Sequence, residues 1–380
     1  MTGFASHQEA RRNLHTANQF KIGLFGANCS SGRAVTMIED RWPADWEDNL
    51  RLGKMADAAG LDFLLPVARW KGYGGDTDYQ GATLETITWA AGLLASTQRI
   101  TVFGTVHAPL FHPIIAAKQF VTADRIGRGR FGLNLVVGWN QDEFDMFGVS
   151  QREHDERYVY GQEWIDAIRM IWSDEEDFDF EGEYIKLKKV RGKPKPWNNS
   201  KPVTMNAGAS DAGRAFALKN CDAFFTNAPR NDLISATRDH VQGIKAQARG
   251  MGRDIDVYTV CTVTCRPTRK EAEDHYRHCI VEHADWSAVD AILAKRKITT
   301  ASVGEEEFQR QRRHTANGMG GLPVIGDPDD VARTLYQMHE AGLRGAGISL
   351  INYLEELPYF CEQVLPRLER MGIRVKTGGG

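Results

Sequence analysis

Apolar and polar positions along this chain switch between a period of two and a period near 3.6, as strands alternating with helices do. Residues 21–27 (KIGLFGA) read as a first strand, and 45–60 has helical spacing at Leu50, Met55 and Ala59 before a terminal glycine. Segments 62–66 and 100–107 read as the second and third strands, with a helix over 84–96 between them. A helix over 113–126 opens with proline, where the missing N–H costs nothing. Strand four, 131–138, places Phe131, Leu133, Leu135 and Val137 on one face and Gly132, Asn134, Val136 and Gly138 on the other. An amphipathic helix follows at 161–172, then a hairpin over 178–187 and a proline-rich link at 193–197. Strands five to eight fall at 203–207, 222–226, 257–264 and 345–350, with a last helix at 357–371. Eight such units predict an α/β protein built as a closed (β/α)8 TIM barrel. An open doubly wound sheet is disfavoured, because no G-x-G-x-x-G follows the first strand.

The pattern assigns 19–372 to one barrel domain, with a polar N-terminal arm at 1–18 and a tail at 373–380. Between strands seven and eight, 275–322 holds more residues than one crossover helix needs and ends in NGMGGLP. Its part at 286–322 is expected to be a lid or a subunit contact.

Composition narrows the partners. A formal net charge of -3 lacks the basic excess that phosphate-backbone binding requires, so nucleic acid is not expected. No apolar run reaches the roughly 18–20 residues that span a bilayer, and the first 18 residues lack a secretory apolar stretch, so no membrane and a cytoplasmic location are expected. The six cysteines form no C-x-x-C pair and read as reduced thiols.

In a parallel barrel, chemistry collects at the carboxyl ends of strands. The candidates there are Leu65, Thr105, His107, Asn134 and Ser210. Burying the Asn134 amide without partners would cost on the order of 1–3 kcal/mol, so something must meet it. Each of these residues also has an ordinary structural use: threonine as a packer, asparagine as a satisfied amide, leucine as core, serine as a helix cap. Asn206 to Ala212 (NAGASDA) joins a strand end to a helix start and offers an anion site. Arg157 and Tyr158, in EHDERY, offer a planar cation and a hydroxyl suited to phosphate. His107 and His112 flank Pro109 without a nearby carboxylate, and no H-E-x-x-H exists, so metal is not expected.

GRGRFGLNLVVGW at 127–139, the following EF, and EHDERY at 153–158 together resemble the bacterial-luciferase-like flavin monooxygenases, especially their pyrimidine and dimethyl sulfone monooxygenase branches. The likeness runs from about 20 to 368. It implies a luciferase-type barrel with insertions and a two-component enzyme. Reduced FMN, supplied by a separate NAD(P)H:flavin reductase, would react with dioxygen to a flavin peroxide, an N5-peroxide being one form. The product would come from a cyclic amide, N-heterocycle, sulfone or flavin. The resemblance places Thr105 and Asn134 in the dioxygen pocket with Leu65 as apolar wall, and Arg157, Tyr158 and Ser210 around the FMN phosphate. It puts Ala68 and Arg69 beside the isoalloxazine, and Asn134 and Glu143 on flavin or substrate. Ala68 departs from the isoleucine of the pyrimidine branch and leaves a looser pocket. A homo-oligomer, dimer or tetramer, is expected. The alternatives are a deazaflavin-dependent hydride-transfer enzyme and a non-catalytic flavin-binding protein.

Overall fold

Strands that are apolar on both faces need cover on both, and here a closed ring supplies it. The computed structural model describes residues 4–227 and 234–376. Eight parallel strands pair in chain order: β1 (Lys21–Phe25), β2 (Phe63–Leu65), β3 (Thr101–His107), β4 (Phe131–Val136), β5 (Val203–Asn206), β6 (Ala223–Thr226), β7 (Asp256–Cys265) and β8 (Gly345–Ser349). The eighth returns to the first, with Lys21 opposite Gly345. Outward side chains pack on helices, as where Phe131 stacks on Phe120 of the Pro113–Ile126 helix at 5.7 Å. Inward side chains fill the ring with aromatics: Phe63 meets Phe103 and Tyr258 edge-on at 6.0 and 5.9 Å. The interior is therefore solid, and a ligand can enter only at an end.

Several boundaries differ from the sequence pattern. The described part of the polar arm, from residue 4, carries a helix, His7–Arg12, and its Leu14 joins the barrel interior as a plug. Arg11 and Asp124 hold the plug with two buried bonds of 2.6 and 2.9 Å. The expected tail is anchored at its start, because Ile373 is buried and Arg374 pairs with buried Asp62 at 2.7 Å; its end, 377–380, lies outside the described residues. The last helix begins early, at Tyr353, because the Asn352 side chain caps it, and it breaks into Tyr353–Gln363 and Leu365–Arg370 with Pro366 in the first turn of the second piece.

A further strand, Leu322–Gly326, pairs with residues 261–265 of the ten-residue β7, beyond the 256–259 that pair with β6, while β8 pairs with 258–262. Proline inside LPVIG hides it from the pattern, yet an edge position tolerates proline. The segment 286–322 contains three helices, Trp286–Lys295, Thr300–Val303 and Glu305–Ala316. Val289, Ile292 and Leu293 of the first pack with Ala34, Val35 and Ile38 from the connection after β1. This places the insertion against the carboxyl side of the barrel. No helix among the described residues is long and apolar enough to cross a membrane.

Candidate active site

Beyond the strands' carboxyl ends opens a cleft of about 490 Å3, whose walls include Pro66, Ala68, Arg69, His107, Tyr158 and Gly208. A larger hollow of about 670 Å3 lies at the opposite end of the barrel, beside His15, Arg99 and Arg130. There the Arg130 guanidinium is spent on the carbonyls of Leu94, Thr97 and Ile100. Of the two, the carboxyl-end cleft gathers Thr105, His107 and Asn134, which makes it the candidate site.

Thr105 and Asn134 sit opposite each other in the β3–β4 register, on the inward face, and both line this cleft. The Thr105 hydroxyl donates to the Pro66 carbonyl at 2.7 Å and accepts from Asn134 Nδ2 at 3.2 Å. A hydroxyl has one proton, so this relay uses Thr105's only donor and turns the amide nitrogen toward it. Asn134 Oδ1 is left buried and without a hydrogen-bond partner among the described residues. The Thr105 hydroxyl proton is thus taken up within the chain, and Asn134 turns its carbonyl oxygen, an acceptor, away from Thr105.

The expectation for Leu65 is corrected. The register pairs Leu64 with Val102, which sets Leu65 level with Phe103 and a full inward layer beneath Thr105. It is buried in the barrel interior with Phe103 and Phe225 and does not wall the cleft.

Glu143 lies on a short helix, Gln141–Met146, entered after Gly138 turns the chain at φ 90°. Its buried carboxylate accepts from Arg69 Nη1 at 3.0 Å and from the Trp70 N–H at 2.9 Å, and its other oxygen stands 3.8 Å from His107 Nδ1. It therefore braces the wall from behind and is not positioned to touch flavin or substrate. Held this way, the Arg69 guanidinium lies over the Tyr73 ring at 4.5 Å, at the cleft's edge. Burial pushes the His107 imidazole down to about 4, with Arg69 in the same direction and Glu143 against it. At neutral pH His107 is an uncharged imidazole whose Nδ1 has no partner.

The third corner is made by EHDERY, which forms the opening of the long His154–Ser173 helix, seven residues earlier than the apolar spacing indicates. Arg157 Nη1 donates to the Gly138 carbonyl at 2.8 Å, tying this helix to the cleft wall, and its Nε is buried without a partner. Ser210 caps the Asp211–Asn220 helix by accepting from Gly213 N at 3.1 Å, with the Tyr158 hydroxyl 3.4 Å away. Tyr158 lines the cleft; Arg157 and Ser210 stand behind it. Gly208 admits this approach, since a Cβ there would come within 2.7 Å of the Gly213 backbone.

Sequence reasoning missed Asn206, Arg33 and Arg296. Asn206 donates to the Leu135 carbonyl at 2.6 Å and accepts from Gly208 N at 2.6 Å, which locks the loop after β5 onto β4. It stood in plain view in NAGASDA. Arg33 and Arg296 come from connections whose path into the cleft no local pattern reveals. Among the described residues, the metal-type grouping His278, Glu282 and His283 is largely exposed on the surface.

A closed parallel barrel with an oriented amide shelf at its mouth and a capped helix start beside it defines a class of enzymes that hold a small ligand over the strand ends. The chain belongs to the luciferase-like monooxygenase family, whose model matches residues 20–345. It is 28% identical over 365 residues to the FMNH(2)-dependent dimethylsulfone monooxygenase of Pseudomonas fluorescens (strain Pf0-1), covering 94% of this chain and 96% of that one. It is also 28% identical over 355 residues to pyrimidine monooxygenase RutA of Enterobacter sp. (strain 638), covering 92% and 96%. Among solved structures, riboflavin lyase (RcaE), with modified FMN and riboflavin, shares the fold with a TM-score of 0.82 at 21% identity, covering 94% of this chain and 93% of that one.

Proposed function

We propose that this flavin-dependent monooxygenase takes reduced FMN from a separate NAD(P)H:flavin reductase and uses dioxygen to oxidise or cleave a small organic substrate in the cleft. The observation that carries the reading is Asn134 Oδ1, a buried acceptor that Thr105 holds in place and that no group among the described residues meets. A reduced flavin brings ring N–H donors to such an acceptor; an oxidised flavin's central nitrogens only accept. The residues present fit the cofactor.

In this reading Tyr158 and Ser210 receive the phosphate at the start of the Asp211–Asn220 helix, and Arg157 supplies positive charge behind them. Ala68 and Arg69 flank the ring system. When bound, the reduced flavin supplies the electrons that activate dioxygen. The chain's part is to bind and orient. Thr105 fixes the amide, Glu143 holds Arg69 against the wall, and the neutral His107 lines the cleft as a substrate contact. Dioxygen is assigned to the space above the Thr105–Asn134 shelf. Cyclic amides, N-heterocycles, sulfones and flavins are the substrate classes to try.

The test is incubation with FMN, a flavin reductase, NADH and a panel of these compounds under isotopically labelled dioxygen, read by mass spectrometry. Label in a product that forms only with all components is the expected result. The G-x-G-x-x-G at 127–132 leads from a helix into a strand, the reverse of the strand-to-helix turn of a dinucleotide site, so NADH should stay unconsumed when the reductase is omitted. Failure to bind FMN, or equal affinity for FMN and riboflavin, would overturn the phosphate corner and with it the cofactor reading.

A further inference from the structure

Among the described residues, three arginines line the cleft, and two of them have no ion-pair partner. Arg69 is neutralised by Glu143, and no aspartate or glutamate is among the described residues that line the cleft. Arg33, in the connection after β1, lines the cleft while only 8% exposed. One of its terminal nitrogens donates to the Gly318 carbonyl at 2.6 Å, its Cζ lies 4.3 Å from the Phe25 ring centroid, and its Nε is buried with no hydrogen-bond partner among the described residues. It makes no ion pair among the described residues. A buried guanidinium without a counter-charge is costly, by several kcal/mol, and is seldom retained unless something pairs with it.

Arg296 stands at the mouth of the same cleft, just past the end of the Trp286–Lys295 helix, exposed and also without an ion pair among the described residues. Its charge adds to that of Arg33, because both line the same cleft. The neighbouring Lys295 is already spent on Asp142, beside Lys71 at 3.8 Å. Both unpaired cations come from the β1 connection and the insertion, whereas the phosphate corner is built from the Tyr158 helix and the loop after β5. A second negative group, separate from the cofactor's phosphate, fits them.

We infer that the substrate is an organic anion whose carboxylate or sulfonate is held by Arg33 inside the cleft, with Arg296 drawing it in at the mouth. This inference rests on the flavin monooxygenase reading and narrows it: of the candidate classes, those bearing an acidic group are favoured over their uncharged counterparts. The Arg33 guanidinium, fixed by Gly318 and Phe25, is a preset fork for a planar or tetrahedral oxyanion.

The test uses the protein with oxidised FMN bound and isothermal titration calorimetry with two matched pairs, benzoate against benzamide and propanesulfonate against methyl propyl sulfone. In at least one pair the anion should bind roughly tenfold or more tighter than its neutral partner, as a charge-assisted bond provides, and the pair that discriminates identifies the acid group. Arg33→Gln, which keeps an N–H for Gly318, should remove the preference while leaving FMN affinity unchanged. Arg296→Gln changes an exposed side chain, so it tests the same claim without disturbing buried packing, and it should reduce the preference severalfold. Equal binding within both pairs overturns the inference, as does a preference that survives both substitutions. Loss of FMN affinity in the variants would assign the cations to the flavin and would equally overturn it. FMN binding by the unaltered protein is measured first, so failure of the cofactor reading is seen separately from failure of the anion site.

Discussion

Replacing Thr105 by valine removes one oxygen atom at nearly constant shape, and the structure specifies what that atom does. It accepts from Asn134 Nδ2 and donates to the Pro66 carbonyl, both in a buried setting. Losing two hydrogen bonds costs about 1 kcal/mol each, and leaving an N–H and a carbonyl without replacements brings the total to about 2–4 kcal/mol. The added methyl offsets less than about 1 kcal/mol by apolar burial. Thr105→Ser keeps both bonds and should remain within about 1 kcal/mol of the unaltered protein. Urea denaturation of the three proteins measures this directly.

The same substitution has a functional signature. Without the hydroxyl, nothing holds the Asn134 nitrogen away from the cleft, so Oδ1 is no longer presented. Affinity for reduced FMN should fall about five- to tenfold, the value of one such bond, while oxidised FMN is little affected. Anaerobic titration with reduced FMN, set beside an aerobic titration with oxidised FMN, separates the two effects. Equal weakening of both forms would refute the oriented acceptor. A stability change under about 0.5 kcal/mol in Thr105→Val would refute the relay itself.

Glu143→Ala leaves the buried Arg69 cation without its counter-charge and frees the Trp70 N–H; a loss of about 3–5 kcal/mol is expected in chemical denaturation, and Arg69→Met added to it should recover part of the loss. A single-variant loss under about 1 kcal/mol would contradict the brace. His107 lies near 4 in the fold against 6.5 ordinarily. Its folded value is depressed, so its contribution is intact above pH 6.5 and is lost as pH falls toward 4. By pH 5 the loss is about 2 kcal/mol, and His107→Gln should lack it; parallel stability curves for the two proteins between pH 7 and 5 would count against the buried neutral imidazole.

Much of this architecture was legible because a strand's period of two is a strong local signal and each apolar run here is short and bounded. Asn134 stood out for the same reason: a single amide on an otherwise apolar strand face is a local anomaly. What stayed hidden depends on relations between distant segments. Glu143 looked like one acid among several after β4, and only the turn at Gly138 shows that it points inward at Arg69. Arg33 carries no local mark, because its isolation is a property of everything folded around it. The plug at Leu14 likewise follows from packing that the polar character of the first residues conceals.

Leu65 shows the physical limit most clearly. Alternation assigns a side chain to a face of a strand, and Leu65 does face inward. Its height in the barrel is set by the stagger between strands, which accumulates through hydrogen-bond register and leaves no trace in the period. The same register explains why Gly132 and Asn134 belong together in GRGRFGLN. Gly132 lies opposite Phe103, and a Cβ there would come within 2.5 Å of the Phe103 ring. The glycine makes room for the aromatic ring that closes the barrel interior, and two residues later, on the same face, Asn134 lies opposite Thr105 on top of that floor. Floor and shelf are thus adjacent layers of a single strand pair. Filling the lower layer with Phe103 closes the interior, so under the proposed function cofactor and substrate occupy the upper layer, where the Thr105–Asn134 shelf lies.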